Sequence, residues 1–459
     1  MKKGISLLII CLVSLQLSAQ VNLSFPQNIT TADFGNNEPK IGMVNAENPI
    51  AFWSDNTHLY VATSINGSFN EPQELDVNGT TPFTYSQEGP SMHVIGNNIY
   101  IVYFDNSTDD IYLIASYNGG ENFNLPIKLP QKGFLPMVKA DYLGNPIIAY
   151  IDTQDRLAFT RSNDLGQNFQ TPVIASELSN GATICECCQM DLIAPTPTDV
   201  YISFRNNDNN QRDIWLVKST DGGETFTNAL DIDNTDWMIS ACPASGPDVL
   251  LTGNTLISTF YSAAQSPAKV FATSINTETM EVDNQVTLNN AGEEIQNLPK
   301  IAGEGDNIAI VWEENLLGKS DIMMAWSNTG FSGLKSNFIN ISSTANGSER
   351  YPDITYANGQ FHIIYSDLEN GLLKYQTAVL PPPINTNINA INESVKVSTS
   401  NGFIRVNAER FVQIHLFNIN GQLVESTAKT QINIQNLPSG IYIIQVETTN
   451  GSVSKRLVF

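Results

Sequence analysis

The sequence predicts an all-β fold: a β-propeller of seven blades, or six if one repeat is an insertion, followed by a small β-sandwich. Three observations carry this. Short segments of alternating apolar and β-branched residues recur about every 50 residues, the period of propeller blades. No stretch shows the 3.6-residue period of an amphipathic helix. The stretch "PPPINTN" at 381–387 then divides the repeats from a shorter segment of different charge.

The chain opens "MKKGISLLIICLVSLQLSAQ". Lys2 and Lys3 precede an apolar core, and Leu17-Ser18-Ala19 suits signal peptidase, so residues 1–19 are predicted as a signal peptide cut before Gln20. No later segment holds the ~18 uninterrupted apolar residues of a membrane span. The mature chain is expected outside the cytoplasm, where Cys185, Cys187, Cys188 and Cys242 meet an oxidising environment.

Each repeat, within residues 20–380, begins with a Pro and an apolar strand. The starts are Pro39, Pro90, Pro136, Pro247, Pro299 and Pro352, with Cys188 of "CCQM" placed in the remaining slot. Second strands follow, such as "IAFWSD", "IYIVYFD" and "IAIVWEE", and third strands such as "IYLIASY" and "IWLVKS". Their period-two alternation fits half-buried antiparallel strands. The last repeat lacks a fourth strand, whereas "LSFPQNIT" near the N-terminus has no repeat before it. Pairing the two would close the ring and hide two sheet edges. After a linker at 381–390, residues 391–459 carry a β unit whose Asn420-Gly421 is a hairpin signal.

Charge separates the two parts. Residues 391–459 hold 6 basic and 4 acidic residues, net +2, whereas residues 20–390 hold 15 and 42, net -27. Such acidity excludes nucleic acid, because phosphate binding needs a basic face. No nucleotide-binding Gly loop, G-x-S-x-G or H-E-x-x-H is present. The four histidines, His58, His93, His362 and His415, are scattered and read as structural.

A local motif, S-x-D-x-G-x-x-F, recurs at the third-to-fourth strand turns. It is complete at Ser162, Asp164, Gly166, Phe169 and at Ser219, Asp221, Gly223, Phe226, and it stands at Ser116, Gly120, Phe123 with Asn118 in place of Asp. These turns resemble the Asp-box repeats of the sialidase superfamily of β-propellers. The carboxylate and hydroxyl can bond turn amides, Gly permits the turn, and Phe anchors it. That role is structural. The segments "LFNINGQLV", "LPSGIYIIQV" and "KRLVF" resemble the C-terminal sorting domain of the type IX secretion system, an Ig-like unit. The resemblance implies export across the outer membrane of a Gram-negative bacterium, with the secretion machinery as partner, then release or surface attachment.

Sialidases of that superfamily clamp the substrate carboxylate with three arginines, one in an early R-I-P motif. Here the first repeat reads "NEPKI", with no Arg, and the repeats hold only Arg156, Arg161, Arg205, Arg212 and Arg350. Arg350 alone stands in an R-x-P register, in the last repeat. A sialidase triad cannot be assembled from these. The face carrying the second-strand ends is the expected binding face: Asp55, Asp105, Asp152, Arg205 and Glu313, joined by Arg350 and Asp367. Its carboxylates could bind Ca²⁺ or act as acid and base; exposed loop ends are also simply polar. Cys242 lies five residues before Pro247, in the crossing that should approach Cys185, Cys187 and Cys188. Four thiols there allow two disulfides, a thiolate-bound metal, or a reactive thiol. Three functions fit: a binder of extracellular glycan or protein, a glycoside hydrolase or lyase, and a structural surface protein.

Overall fold

The computed structural model describes residues 20–31, 37–55, 58–85, 88–175, 183–227, 229–289, 292–342, 348–382, 395–400, 402–419, 422–449 and 451–458. The expected signal peptide, most of the linker and the Asn420-Gly421 turn lie outside them. The chain divides into two compact units, the first ending at Pro382 and the second starting at Pro383. Both are built of strands; one three-residue 3-10 turn, Phe331–Gly333, interrupts them among the described residues.

Among the described residues, the strands of the first unit fall in six antiparallel sheets, the seven-stranded one made of two meanders, so that seven meanders follow one another. The first runs Asn37–Val44, Asn48–Asp55, His58–Ile65 and Ser68–Phe69. The fifth runs Asp248–Thr252, Thr255–Ser262, Lys269–Asn276 and Glu281–Thr287. The second and third share the 14-residue strand Ile127–Ala140, whose early residues pair backwards with Asp110–Ser116 and whose later residues pair forwards with Pro146–Asp152. The opening strands touch one another in chain order, and Glu349–Ala357 of the seventh meets Asn37–Val44 of the first. The cycle is therefore closed. The seventh meander takes its outer strand from the start of the chain: Asn22–Leu23 and Gln27–Asn28 pair with Leu372–Val379. Val21 and Ile29 go into the core beside that strand.

The strands form because alternate residues find apolar partners between neighbouring sheets. One cluster joins the second, third and fourth meanders through Val102, Ile148, Phe159 and Phe204. Second strands are buried on both faces, with Trp53, Tyr103, Tyr150, Phe204, Phe260, Trp312 and Tyr365 all at 2% exposure or less. This explains their nearly unbroken apolar runs.

The repeating Pro marks a bulge. Register slips between Asn37 and Lys40, Phe134 and Met137, Asn297 and Lys300, and Arg350 and Asp353. At each slip the residue before Pro has a left-handed backbone: Glu38, Leu135, Leu298 and Tyr351, with φ of 46, 47, 51 and 55°. A bulge leaves one amide outside the ladder, so Pro sits there without losing a hydrogen bond.

The fourth meander corrects the expected register. Asp191 pairs with Ser203 as Asp248 pairs with Thr259, so Met190, not Cys188, takes the Pro position. The cysteines precede the strand proper.

The second unit packs a three-stranded sheet, Val395–Ser400, Phe403–Ala408 and Gln431–Asn433, with a four-stranded one built around Phe411–Asn418 and Ile441–Thr448. Their shared core includes Val395, Ile404, Ile414, Leu416, Ile444 and Val446.

Candidate functional site

The recurrent turn motif makes the same bonds three times. Ser219 Oγ donates to Asp221 Oδ1 at 2.7 Å, and Ser219 Oγ accepts the Gly223 amide at 2.8 Å. Asp221 Oδ1 accepts the Thr225 amide at 2.9 Å. Ser162, Asp164, Gly166 and Asn168 repeat this, as do Ser116, Asn118, Gly120 and Asn122. Gly223 has φ of 93°, and a Cβ on it would collide with the Phe159 ring. Phe123, Phe169 and Phe226 pack partly into the core. Every polar atom named here serves the turn.

Most of the expected binding face is likewise committed. Asp105 is buried and accepts the amides of Thr81 and Ser107 at 2.9 and 2.7 Å. Asp152 caps its turn through the Gln154 and Arg156 amides and holds the Arg156 guanidinium at 2.6 Å. Asp367 accepts from Asn370 and faces Lys374 at 3.5 Å. Asp55 ends its strand opposite His58. Arg205 is 1% exposed, and its three nitrogens donate to the carbonyls of Ser245, Arg212 and Tyr261. Among the described residues, three metal-ligating atoms come within 4.8 Å of one another only at Cys185, Cys187, Cys188 and at Glu88, Cys187, Cys242. Among the described residues, Asp105, Asp152 and Asp367 thus each serve separate local contacts. The arginines are equally dispersed: Arg161 holds Asp141 and the Gly222 carbonyl, while Arg212 holds Glu186.

Glu313 and Arg350 are the two expected residues brought together. Arg350 Nε lies 3.1 Å from Glu313 Oε2, and Glu313 Oε1 accepts the Tyr351 amide at 2.7 Å. Burial pushes the Glu313 carboxyl up, and the Arg350 charge opposes this. The pair stands in a cleft of about 340 Å³ lined also by Asn297, Asn315, Ser320 and Ser348. The bulge at Tyr351 sets Arg350 here, and the guanidinium lies 4.9 Å from the Tyr351 ring centroid. Nη1 and Nη2 of Arg350 have no hydrogen-bond partner among the described residues, and the side chain is 29% exposed. Two free donors of a guanidinium fork fit a carboxylate or sulfate.

A second site lies on the axis of the cycle. The opening strands direct Lys40, Lys139, Asp191, Asp248, Lys300 and Asp353 inward. Lys139 meets Asp191 at 3.1 Å and Lys300 meets Asp248 at 3.3 Å. Asp191, Asp248 and Asp353 each accept the amide of the next opening strand, from Val249, Ile301 and Ile41, at 3.0, 2.8 and 2.8 Å. A cavity of about 460 Å³ rests on this ionic floor, walled by Met43, Met92, Ile95, Leu250 and Tyr356. His93 in its wall is pushed down to about 3 by burial and by Lys139, so it is neutral there. Sequence reading missed this layer. Its signal was one polar residue after the Pro of an apolar strand, seen in "PKI", "PDV" and "PDI".

The four sulfurs pair as Cys185 with Cys188 and Cys187 with Cys242. Of the alternatives that four thiols allowed, the structure thus shows the two disulfides.

Residues 387–459 match the secretion system C-terminal sorting domain family. The protein therefore carries a type IX sorting tail and is directed to the cell surface or beyond it. No helix among the described residues is long and apolar enough to cross a membrane. No curated protein matches the sequence. Among solved structures, an ulvan lyase of polysaccharide lyase family PL25 aligns over 78% of this chain and 96% of its own, at 10% identity and TM-score 0.51. A Dyadobacter fermentans protein of unknown function covers 67% and 98% at 12% identity and TM-score 0.46. The Ruminococcus gnavus intramolecular trans-sialidase covers 78% and 98% at 12% identity and TM-score 0.41. At such identities the first likeness speaks for a shared all-β fold alone.

Proposed function

We propose that the first unit is a seven-bladed, sialidase-like β-propeller with Asp-box turns, and that after export it binds an extracellular glycan bearing an anionic group. The observation that carries the reading is the outer edge of the Arg350 guanidinium in a cleft whose other polar walls are, beside the Glu313 carboxylate it pairs with, amides and hydroxyls. A carboxylate or sulfate would take the fork, and Asn297, Asn315, Ser320 and Ser348 would take hydroxyls. The net charge of -27 over residues 20–390 repels a dense polyanion at long range, so recognition rests on one spaced anionic group per cleft. Glu313 is tied to Arg350 and to the Tyr351 amide, which suits positioning better than acid catalysis.

Calorimetric titration with matched oligosaccharides tests this. Uronate or sulfated ligands should bind, neutral ones should bind at least tenfold more weakly, and Arg350→Gln should lose about tenfold or more. Equal affinity for both ligand types, or an unaffected R350Q, would sink the reading. Reducing-end assays on the same mixtures report whether binding is followed by cleavage.

A further inference from the structure

We infer that the two disulfides form a thiol–disulfide exchange site open to extracellular thiols, with Cys187–Cys242 as the pair attacked and Cys185–Cys188 as the pair behind it. Cys242 is exposed and Cys187 half-buried, whereas Cys185 and Cys188 are 1% and 3% exposed. The pairs are in contact: Cys187 Sγ lies 3.6 Å from Cys185 Sγ. Arg212 brings a cation to the same sulfur, with Nη1 3.1 Å from Cys185 Sγ and a side chain 5% exposed. Its Nε has no hydrogen-bond partner. The Glu88 carboxylate stands on the other side, within 4.8 Å of the Cys187 and Cys242 sulfurs. A purely structural staple explains only half of this. Cys187–Cys242 spans 55 residues and restrains the unfolded chain well, but Cys185–Cys188 spans three and restrains it least.

The chemistry balances with a thiol as the co-reactant. An external thiolate attacks Cys242 Sγ, forming a mixed disulfide and releasing Cys187 as thiolate. The Cys187 thiolate then attacks Cys185 Sγ, forming Cys185–Cys187 and expelling Cys188 as thiolate, which takes a proton from water. A second external thiolate attacks the mixed disulfide, freeing Cys242 and leaving as the external disulfide. Two external thiols are oxidised and one protein disulfide is reduced. Arg212 lies where negative charge spreads over the three sulfurs, and such a cation favours thiolate attack.

The test uses the full-length oxidised protein in glutathione buffers set to reduce one disulfide, with iodoacetamide trapping and peptide mapping. In most singly reduced molecules Cys188 should carry the label, Cys242 should be labelled or glutathionylated, and Cys185 should be joined to Cys187. Labels on Cys187 and Cys242 with Cys185–Cys188 intact would overturn the inference. So would four thiols appearing together, or the buried pair opening first. Cys242→Ser gives a second reading without reductant. Its unpaired Cys187 should appear joined to Cys185 in at least half the molecules, with Cys188 labelled; label confined to Cys187 would count equally against the exchange.

Discussion

Asp353 Oδ2 accepts the Ile41 amide at 2.8 Å, and 312 residues of chain separate the two. The bond joins the last opening strand to the first, as Asp248 joins the fifth to the sixth through Ile301. One device thus serves both closure of the cycle and its ordinary joints. Asp353→Ala would strand the Ile41 amide and leave Lys40 and Lys300 with less opposing charge. The expected loss is about 2–4 kcal/mol in urea unfolding of the full chain. Asp353→Asn keeps an acceptor and should cost less than half as much. An alanine variant as stable as wild type would mean the closure does not depend on this carboxylate.

The N-terminal strand should matter more than its length suggests. Deleting residues 20–31 removes the two short strands on the outer side of Leu372–Val379, which keeps only Gln360–Asp367, and exposes that edge together with the apolar surface that Val21 and Ile29 cover. An open edge is a template for pairing with another chain. The deletion should lower the melting temperature by on the order of 10 °C and yield oligomers in light scattering, consistent with a loss of several kcal/mol. Monomeric material melting with the wild type would refute closure by this strand.

The turn motif offers a graded test. Asp221→Ala removes acceptors for Ser219 Oγ and the Thr225 amide and should cost about 1 kcal/mol. Gly223→Ala drives a methyl into the Phe159 ring at a left-handed backbone and should cost about 2–4 kcal/mol. Hydrogen bonds from Thr225 and Ser219 pull the Asp221 carboxyl down to about 2 from its ordinary 3.8. A lowered value means the contribution is present above pH 3.8 and fades as pH falls toward 2. The gap between wild type and D221A in urea midpoint should accordingly narrow over that window.

The strands and the sorting tail were legible because each is a repeated or terminal local pattern. "IAIVWEE" reads as a strand whatever surrounds it, and "SxDxGxxF" bonds within itself. The site was less legible, for a physical reason. Asp105 and Asp152 sit at the right ends of the right strands, but backbone amides take their oxygens, those of Thr81 and Ser107 at Asp105 and those of Gln154 and Arg156 at Asp152, which sequence register cannot report. The Arg350–Glu313 pair and the Asp353–Ile41 bond join residues far apart in the chain, so no window contains both partners. The Cys188 register failed because Met190, an apolar residue in an apolar run, fills the position that Pro marks elsewhere.

Glu88 supplies a pH-dependent prediction. Burial, and then the nearby Glu38 carboxylate, push its carboxyl up from the ordinary 4.5 to about 7. The folded value lies above the unfolded one, so the group's stabilising contribution is complete below pH 4.5. It is lost as pH rises through about 7, because the unfolded chain then gives up its proton more readily than the folded one. Glu88→Gln stays neutral throughout. The difference in unfolding free energy between E88Q and wild type should therefore shift in favour of the variant between pH 4.5 and 7, by roughly 1–3 kcal/mol, and level off above that. Urea titrations at half-unit pH steps measure it, and titrating groups that do not interact with Glu88 cancel in the difference. A difference that stays flat from pH 4.5 to 8 would show that Glu88 ionises as an ordinary surface acid, and that the pocket beside Cys187 and Cys242 is open to water.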